Sequence, residues 1–231
     1  MKATRDLVIA VLLAAALMPA AAGAHSLESL QNQLFEKEKY FQIKNEPAPE
    51  FALQDAGGNR LISPTSAARS WLHFIYAGCP DVCPLHAERI AQVQEMVNVT
   101  PMRDQVEFIT VTTDPKRDMP ELLRAYGEAH GLDPVNWKFL TSGSDRPEDT
   151  TRSLAEQFGH SFTVTGDGAQ MHSVVTHVID REGMLRANFH GLNFEPTNLV
   201  LFINGLVNDV HRRGEDHDSE SSVWERIPSY F

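Results

Sequence analysis

The chain has 231 residues, 42% of them hydrophobic, and its 31 acidic against 20 basic side chains leave a formal charge of −11 at pH 7. That balance excludes a general nucleic-acid binder and a binder of anionic lipid, both of which need a basic face; it suits solubility, a basic protein patch or attraction of metal cations. There are 2 cysteines, in a chain long enough to build a core without a disulfide, and a bridge across so short a loop would add little stability, so the pair reads as chemical rather than structural.

Lys2 and Arg5 precede an apolar run from Leu7 to Ala22, which ends in the small-residue cleavage pattern Ala22-Gly23-Ala24. Residues 1–24 therefore read as a secretory signal peptide, too short for a comfortable membrane span, with His25 as the first mature residue. Loss of Lys2, Arg5 and Asp6 with that segment moves the net charge from −11 to −12. The expected product is a soluble periplasmic protein with no stable membrane insertion after cleavage.

Residues 25–46 carry Leu27, Leu30, Leu34 and Phe35 at helical spacing and read as an amphipathic extension. Pro47-Ala48-Pro49 opens a domain over 47–212. Phe51–Asp55 and Arg60–Ser63 flank Gly57-Gly58-Asn59, a hairpin signal. The apolar run Trp71–Ala77 predicts a buried strand, and Leu85–Val97 a helix with Ile90, Val93, Met96 and Val97 on one face. Val106–Thr112 is the next strand. Met119–His130 is a helix with Leu122, Leu123 and Tyr126 inward, closed by Gly131. Trp137–Leu140 follows as a short strand and Asp149–Phe158 as a helix. Ser173–Ile179 and Met184–His190 form a hairpin about Asp180-Arg181-Glu182-Gly183, and Pro196–Val210 a last helix. Residues 213–231 are an acidic, partly mobile tail. The order predicts an α/β fold: a thioredoxin-like sandwich with a central mixed sheet, an N-terminal β-hairpin and flanking helices.

Both cysteines lie in Cys79-Pro80-Asp81-Val82-Cys83-Pro84, where the strand hands over to the helix, at the edge where open α/β sheets place ligands. Amides at a helix N-terminus favour the ionised form of the first sulfur, and a helix spanning both residues would put the two sulfurs on one face. Such a pair can be a disulfide, a redox couple or two ligands of a thiophilic metal. Dithiol oxidoreductases on this fold usually have two residues between their cysteines, whereas three stand here. A copper site needs a third donor, and imidazole suits it. Nine histidines besides His25 are available. His73 reads as a core or face residue, and His86, on the helix, can approach the thiols. His130, His160, His211 and His217 fall at helix ends or in exposed stretches. His177 and His190 fall in strands. His172 stands at a loop-to-strand junction behind Gly166-Asp167-Gly168 and is the candidate third donor.

Three segments carry a family resemblance. Phe74-x-x-x-x-Cys79-Pro80-Asp81-Val82-Cys83-Pro84, Asp114-Pro115-Lys116-Arg117-Asp118-Met119-Pro120 and His172 through Gly183 resemble, in order, the signature segments of the Sco/SenC proteins, copper chaperones of cytochrome c oxidase assembly. The resemblance covers roughly Pro47 to Arg212. It implies one copper per chain, as Cu(I) or Cu(II), on Cys79, Cys83 and His172, with cysteines that also cycle between dithiol and disulfide. Asp114 would stand near the site or else be a turn residue. The implied partners are an acceptor cuproprotein such as a cytochrome c oxidase subunit, and a thioredoxin-like reductant or another copper chaperone. A thiol–disulfide oxidoreductase that reduces cuproprotein cysteines is the alternative. A thiol peroxidase ranks last, because no arginine can be placed by the thiols. The chain departs from the family's pattern at His177, where an aromatic residue is usual. Strand alternation sets His177 on the opposite face from His172, so it is not expected as a ligand.

Overall fold

The computed structural model describes residues 27–63, 69–143, 146–165, 168–171 and 173–208. The signal segment, His172, His211, His217 and the tail lie outside these.

Helix α1 (Leu27–Lys37) leads into β1 (Phe41–Pro47), then the hairpin β2 (Phe51–Asp55) and β3 (Arg60–Ser63), and β4 (Arg69–Ile75). Helix α2 (Val82–Asn98), a 3-10 turn (Pro101–Asp104) and β5 (Val106–Thr112) follow, then α3 (Pro120–Ala129), β6 (Trp137–Thr141) and α4 (Thr150–Gln157). The chain continues through β7 (Phe162–Thr165), β8 (Gly168–Met171), β9 (Val175–Ile179) and β10 (Met184–His190). A helix over 196–208, α5, ends the described chain.

Eight strands form one sheet in the order β1-β10-β9-β4-β5-β6-β2-β3. Its centre is parallel, with Trp71 of β4 opposite Phe108 of β5 and Phe108 opposite Trp137 of β6; the outer pairs are antiparallel. The mixed sheet flanked by helices is the thioredoxin-like sandwich expected of the sequence.

Alternation along β4 divides the core. Trp71 and Ile75 pack with Ile90 and Val93 of α2 and Phe202 and Ile203 of α5. Leu72 and Phe74 face the other way, onto Leu154 and Phe158 about α4 and onto Leu53 and Leu61. Strands buried on both faces read as continuous apolar runs, which is why this one was visible in sequence.

Four details differ from expectation. Residues 41–47, read as the end of a helical extension, form edge strand β1 against β10, pairing Phe41 with Phe189. Phe41 packs its ring tilted against Phe189 and edge-on against Phe202, so aromatic burial fixes the strand where helical spacing fades. The loop before His172 contains a small hairpin, β7 with β8. Leu122 is 44% exposed, with Leu123 and Tyr126 carrying the inward face of α3. Helix α2 starts at Val82 and so includes Cys83 but not Cys79.

Candidate functional site

Strand β4 stops at Ile75 because the chain turns at once: the Cys79 N–H donates to the Tyr76 carbonyl at 3.1 Å, closing a turn over Ala77-Gly78. Thr113, just past β5, ties the same strand end down, its N–H reaching the Ile75 carbonyl at 2.7 Å and its hydroxyl the same oxygen at 3.1 Å. Cys79 is therefore presented by a turn, and Cys83 by the first turn of α2.

The two thiols are free and buried. Asp81 occupies the N-cap position of α2, yet its side chain caps nothing. The sulfur of Cys79 accepts hydrogen bonds from the backbone N–H groups of Asp81 and Cys83 instead, doing the work of a cap. The sulfurs are hydrogen-bonded to each other, and the Tyr76 hydroxyl donates to Cys79. The sequence argument from i, i+4 spacing is thus replaced by a different geometry: the sulfurs meet because the turn delivers one of them over the helix end.

This arrangement makes the pair unequal. Burial alone pushes the Cys79 thiol up, but the amides of Asp81 and Cys83, the Cys83 thiol and the Tyr76 hydroxyl outweigh it and hold Cys79 below its ordinary value. Burial, reinforced by the hydrogen bond to Cys79, pushes Cys83 up to about 12. Burial and the bond to Cys79 likewise push the Tyr76 phenol up to about 12.

Asp114 forms an ion pair with Arg117, and its carbonyl accepts the N–H groups of Arg117 at 3.1 Å and Asp118 at 2.9 Å. It builds the turn. The carboxylate turned toward the cysteine loop is Asp118, which is buried and accepts the Ala77 N–H at 2.9 Å and the Thr112 hydroxyl at 2.5 Å. Its negative charge is one of the influences that raise Cys83, and burial raises its own pKa. Asp118 lies within the segment that carried the family resemblance, but nothing local in the sequence marks which of its two aspartates turns inward.

The histidines sort clearly. His86 faces away from the thiols, bonding Thr176 Oγ1 at 2.8 Å, with its ring 4.9 Å from that of His73. His73 meets Thr110 Oγ1 at 3.2 Å. His160, expected in an exposed stretch, is buried: its Nε2 lies 2.9 Å from Nε2 of His177, and its Nδ1 2.9 Å from the Ser173 hydroxyl. The helix end explains the difference. Gly159, at φ 88°, ends α4 and turns the next residue inward, where the His160 N–H finds the Ala155 carbonyl at 3.0 Å. His130 pairs with Glu88 at 3.2 Å, and His190 with Gln42 at 3.1 Å on the far edge of the sheet.

Among the described residues, no three His, Cys, Asp or Glu side chains gather as a metal cluster. Two adjacent sulfurs do gather, and they form a soft donor pair that fits a thiophilic metal or a dithiol–disulfide couple.

The chain's relatives have the same character. A "SCO2-like protein" from Rickettsia felis is 28% identical over 163 residues, covering 68% of this chain and 75% of the relative. Among solved structures, yeast Sco1 with copper bound superposes with a TM-score of 0.58 at 20% identity, covering 71% of this chain and 89% of that one. BsSco, described as a Sco-family cytochrome c oxidase assembly protein with a disulfide switch, superposes with a TM-score of 0.61 at 18% identity, covering 72% and 96%. Residues 42–207 match the sequence profile of the SCO1/SenC proteins, and the chain belongs to that family.

Proposed function

We propose that this protein is a periplasmic copper metallochaperone that carries one copper ion on Cys79, Cys83 and His172 and delivers it to a cuproprotein, a cytochrome c oxidase copper centre being the acceptor suggested by its relatives. The observation that carries this reading is the pair of free, buried, mutually hydrogen-bonded thiols at the start of α2, in a chain of this family. Yeast Sco1, solved with copper bound, and BsSco, of a family of cytochrome c oxidase assembly proteins, supply the copper and the oxidase context. The segment 1–24 supports export. Copper is the cargo: thiolates hold Cu(I) tightly yet exchange it associatively with incoming thiolates, so an acceptor can replace one sulfur at a time. His172 would supply a nitrogen donor and help permit Cu(II).

The test is competition of the reduced protein against a Cu(I) chelator. One copper per chain is expected, with a large loss of affinity in Cys79→Ser, Cys83→Ser and His172→Ala. No stoichiometric binding would overturn the reading.

The unequal thiols favour a second reading, a thiol–disulfide oxidoreductase that reduces an acceptor's cysteines, with Cys79 attacking and Cys83 resolving. Turnover with a cuproprotein disulfide, in the absence of copper, distinguishes it.

A further inference from the structure

We propose that the buried histidine pair His160–His177 is a positioning device for the segment that carries His172, acting through the hydroxyl of Ser173. This rests on the reading of His172 as a copper donor. Ser173 is the residue immediately after His172, and its hydroxyl meets His160 Nδ1 at 2.9 Å. His160 in turn meets His177, Nε2 to Nε2, at 2.9 Å. His177 Nδ1 lies 2.8 Å from Asn188 Oδ1, and Asn188 Nδ2 donates to Gln42 Oε1 at 3.3 Å. The amide oxygen of Asn188 can only accept, so His177 carries its proton on Nδ1 and offers a lone pair at Nε2. In that polarity His160 donates from Nε2 and accepts the Ser173 hydroxyl at Nδ1, and the Ser173 backbone gives the ring a second hold on the same residue. One polarity satisfies the whole chain with both rings neutral.

Every member except Ser173 is fixed by something rigid. His177 sits in β9 directly opposite Asn188 of β10, and also pairs with Leu72 of β4. His160 is held by the capped end of α4. The line therefore runs from β9 and β10 of the sheet to Ser173, the residue next to His172 in the chain.

Stability alone does not call for this pair. The rings lie among phenyl groups, with Phe158 4.8 Å from His177 and Phe74 4.9 Å from His160. Burying imidazoles there costs desolvation that an apolar ring of similar volume would avoid, and replacing a buried polar group together with its partners by apolar ones is often neutral or stabilising. What an apolar pair cannot do is accept the Ser173 hydroxyl. Partners bonded directly to a metal ligand commonly change metal affinity about 10–100-fold, and a bond one residue from the donor is expected to act at the lower end of that range.

The experiment measures Cu(I) affinity by chelator competition, the midpoint potential of the Cys79/Cys83 dithiol, and thermal stability, in wild type, Ser173→Ala, Ser173→Thr, His160→Phe/His177→Phe and His172→Ala. Ser173→Ala and the double variant are expected to lose about tenfold in affinity at unchanged dithiol potential, with the double variant less heat-stable because it leaves the buried Asn188 amide without its ring partner; Ser173→Thr, which keeps the hydroxyl, is expected to bind as wild type. Loaded with Cu(II), the first two should also show altered nitrogen hyperfine coupling. If His172→Ala binds copper normally, the donor reading fails. If His172→Ala weakens binding while Ser173→Ala and the double variant do not, the positioning role fails. A shifted dithiol potential in Ser173→Ala would also overturn it, by showing that the effect is not confined to the histidine side of the site. Should the double variant not fold, the contrast between Ser173→Ala and Ser173→Thr decides alone.

Discussion

Asp118 accepts the backbone N–H of Ala77 at 2.9 Å, so a carboxylate 41 residues downstream holds the turn that presents Cys79. The same oxygen takes the Thr112 hydroxyl at 2.5 Å, locking the ends of β4 and β5 together. Asp118→Ala leaves the half-buried Ala77 amide and the buried Thr112 hydroxyl without that acceptor and should cost about 2–4 kcal/mol, since hydrogen bonds to charged groups contribute roughly 1.5–3 kcal/mol each and are not fully additive. Asp118→Asn retains one acceptor oxygen and should lose less. Urea midpoints at constant slope measure both, and Cu(I) affinity should fall in the same order.

The buried histidines make stability depend on pH. Burial holds His86 and His177 down at about 3 and His160 at about 4, against an ordinary 6.5. The unfolded chain thus takes up protons first as pH falls. The stability these neutral rings contribute is fully present above about pH 6.5 and is lost as the pH drops toward 4, by roughly 1.4 kcal/mol per pH unit for each ring. Asp118 acts in the opposite sense: its raised pKa gives a contribution that is present below 3.8 and lost as pH rises through its folded value. Denaturation at pH 7.5, 6 and 5 should show a steep decline that His160→Phe/His177→Phe flattens.

Cys79 should be alkylated well before Cys83. Its sulfur is stabilised as a thiolate by two amides and the Tyr76 hydroxyl, whereas Cys83 is pushed up to about 12. Mass spectrometry after a short iodoacetamide pulse reads the order directly. Tyr76→Phe removes one of the donors and should slow Cys79. Equal labelling of the two thiols would contradict the asymmetry.

If Cys83 binds copper as proposed, uptake must displace a proton, because burial and Cys79 push the Cys83 thiol up to about 12. Cu(I) affinity is expected to rise about tenfold per pH unit for each proton released, with at least one released near pH 7. Calorimetry in buffers of different ionisation enthalpy counts them.

Two glycines give a packing control. A Cβ at Gly127 would sit 2.9 Å from the Phe139 ring, whereas at Gly205 the nearest atom, 2.6 Å away, is the tip of the Leu30 side chain. Gly127→Ala should cost about 1–3 kcal/mol through overpacking, and Gly205→Ala less, because Leu30 can rotate away. Thermal melts compare the two.

Much of this was legible in the residues. The largely apolar, β-branched and aromatic runs of β4 and β5 announced central strands, and the spacing of Ile90, Val93 and Val97 announced α2. The two cysteines were bound to be neighbours, being so close in sequence. The position of His160 was hidden because it depends on how a helix ends, and β1 because its partners lie far along the chain, Phe41 pairing with Phe189 and Pro47 with Met184. Asp118 was indistinguishable from Asp114 until the turn between them was seen. Long-range partners, rather than local propensity, decided each of these.

The start of α2 at Val82 places the two sulfurs on different mechanical supports. Cys83 is anchored in a helix of 17 residues packed along the core, while the backbone of Cys79 hangs on a short lever held by the Ala77–Asp118 and Cys79–Tyr76 hydrogen bonds, with its sulfur held by the helix-end amides and its two side-chain neighbours. An acceptor that pulls on Cys79 has only that lever to swing, whereas dislodging Cys83 would mean moving the helix. On the metallochaperone reading proposed above, hand-over would then have an order, with the lever opening first and the anchored sulfur letting go last.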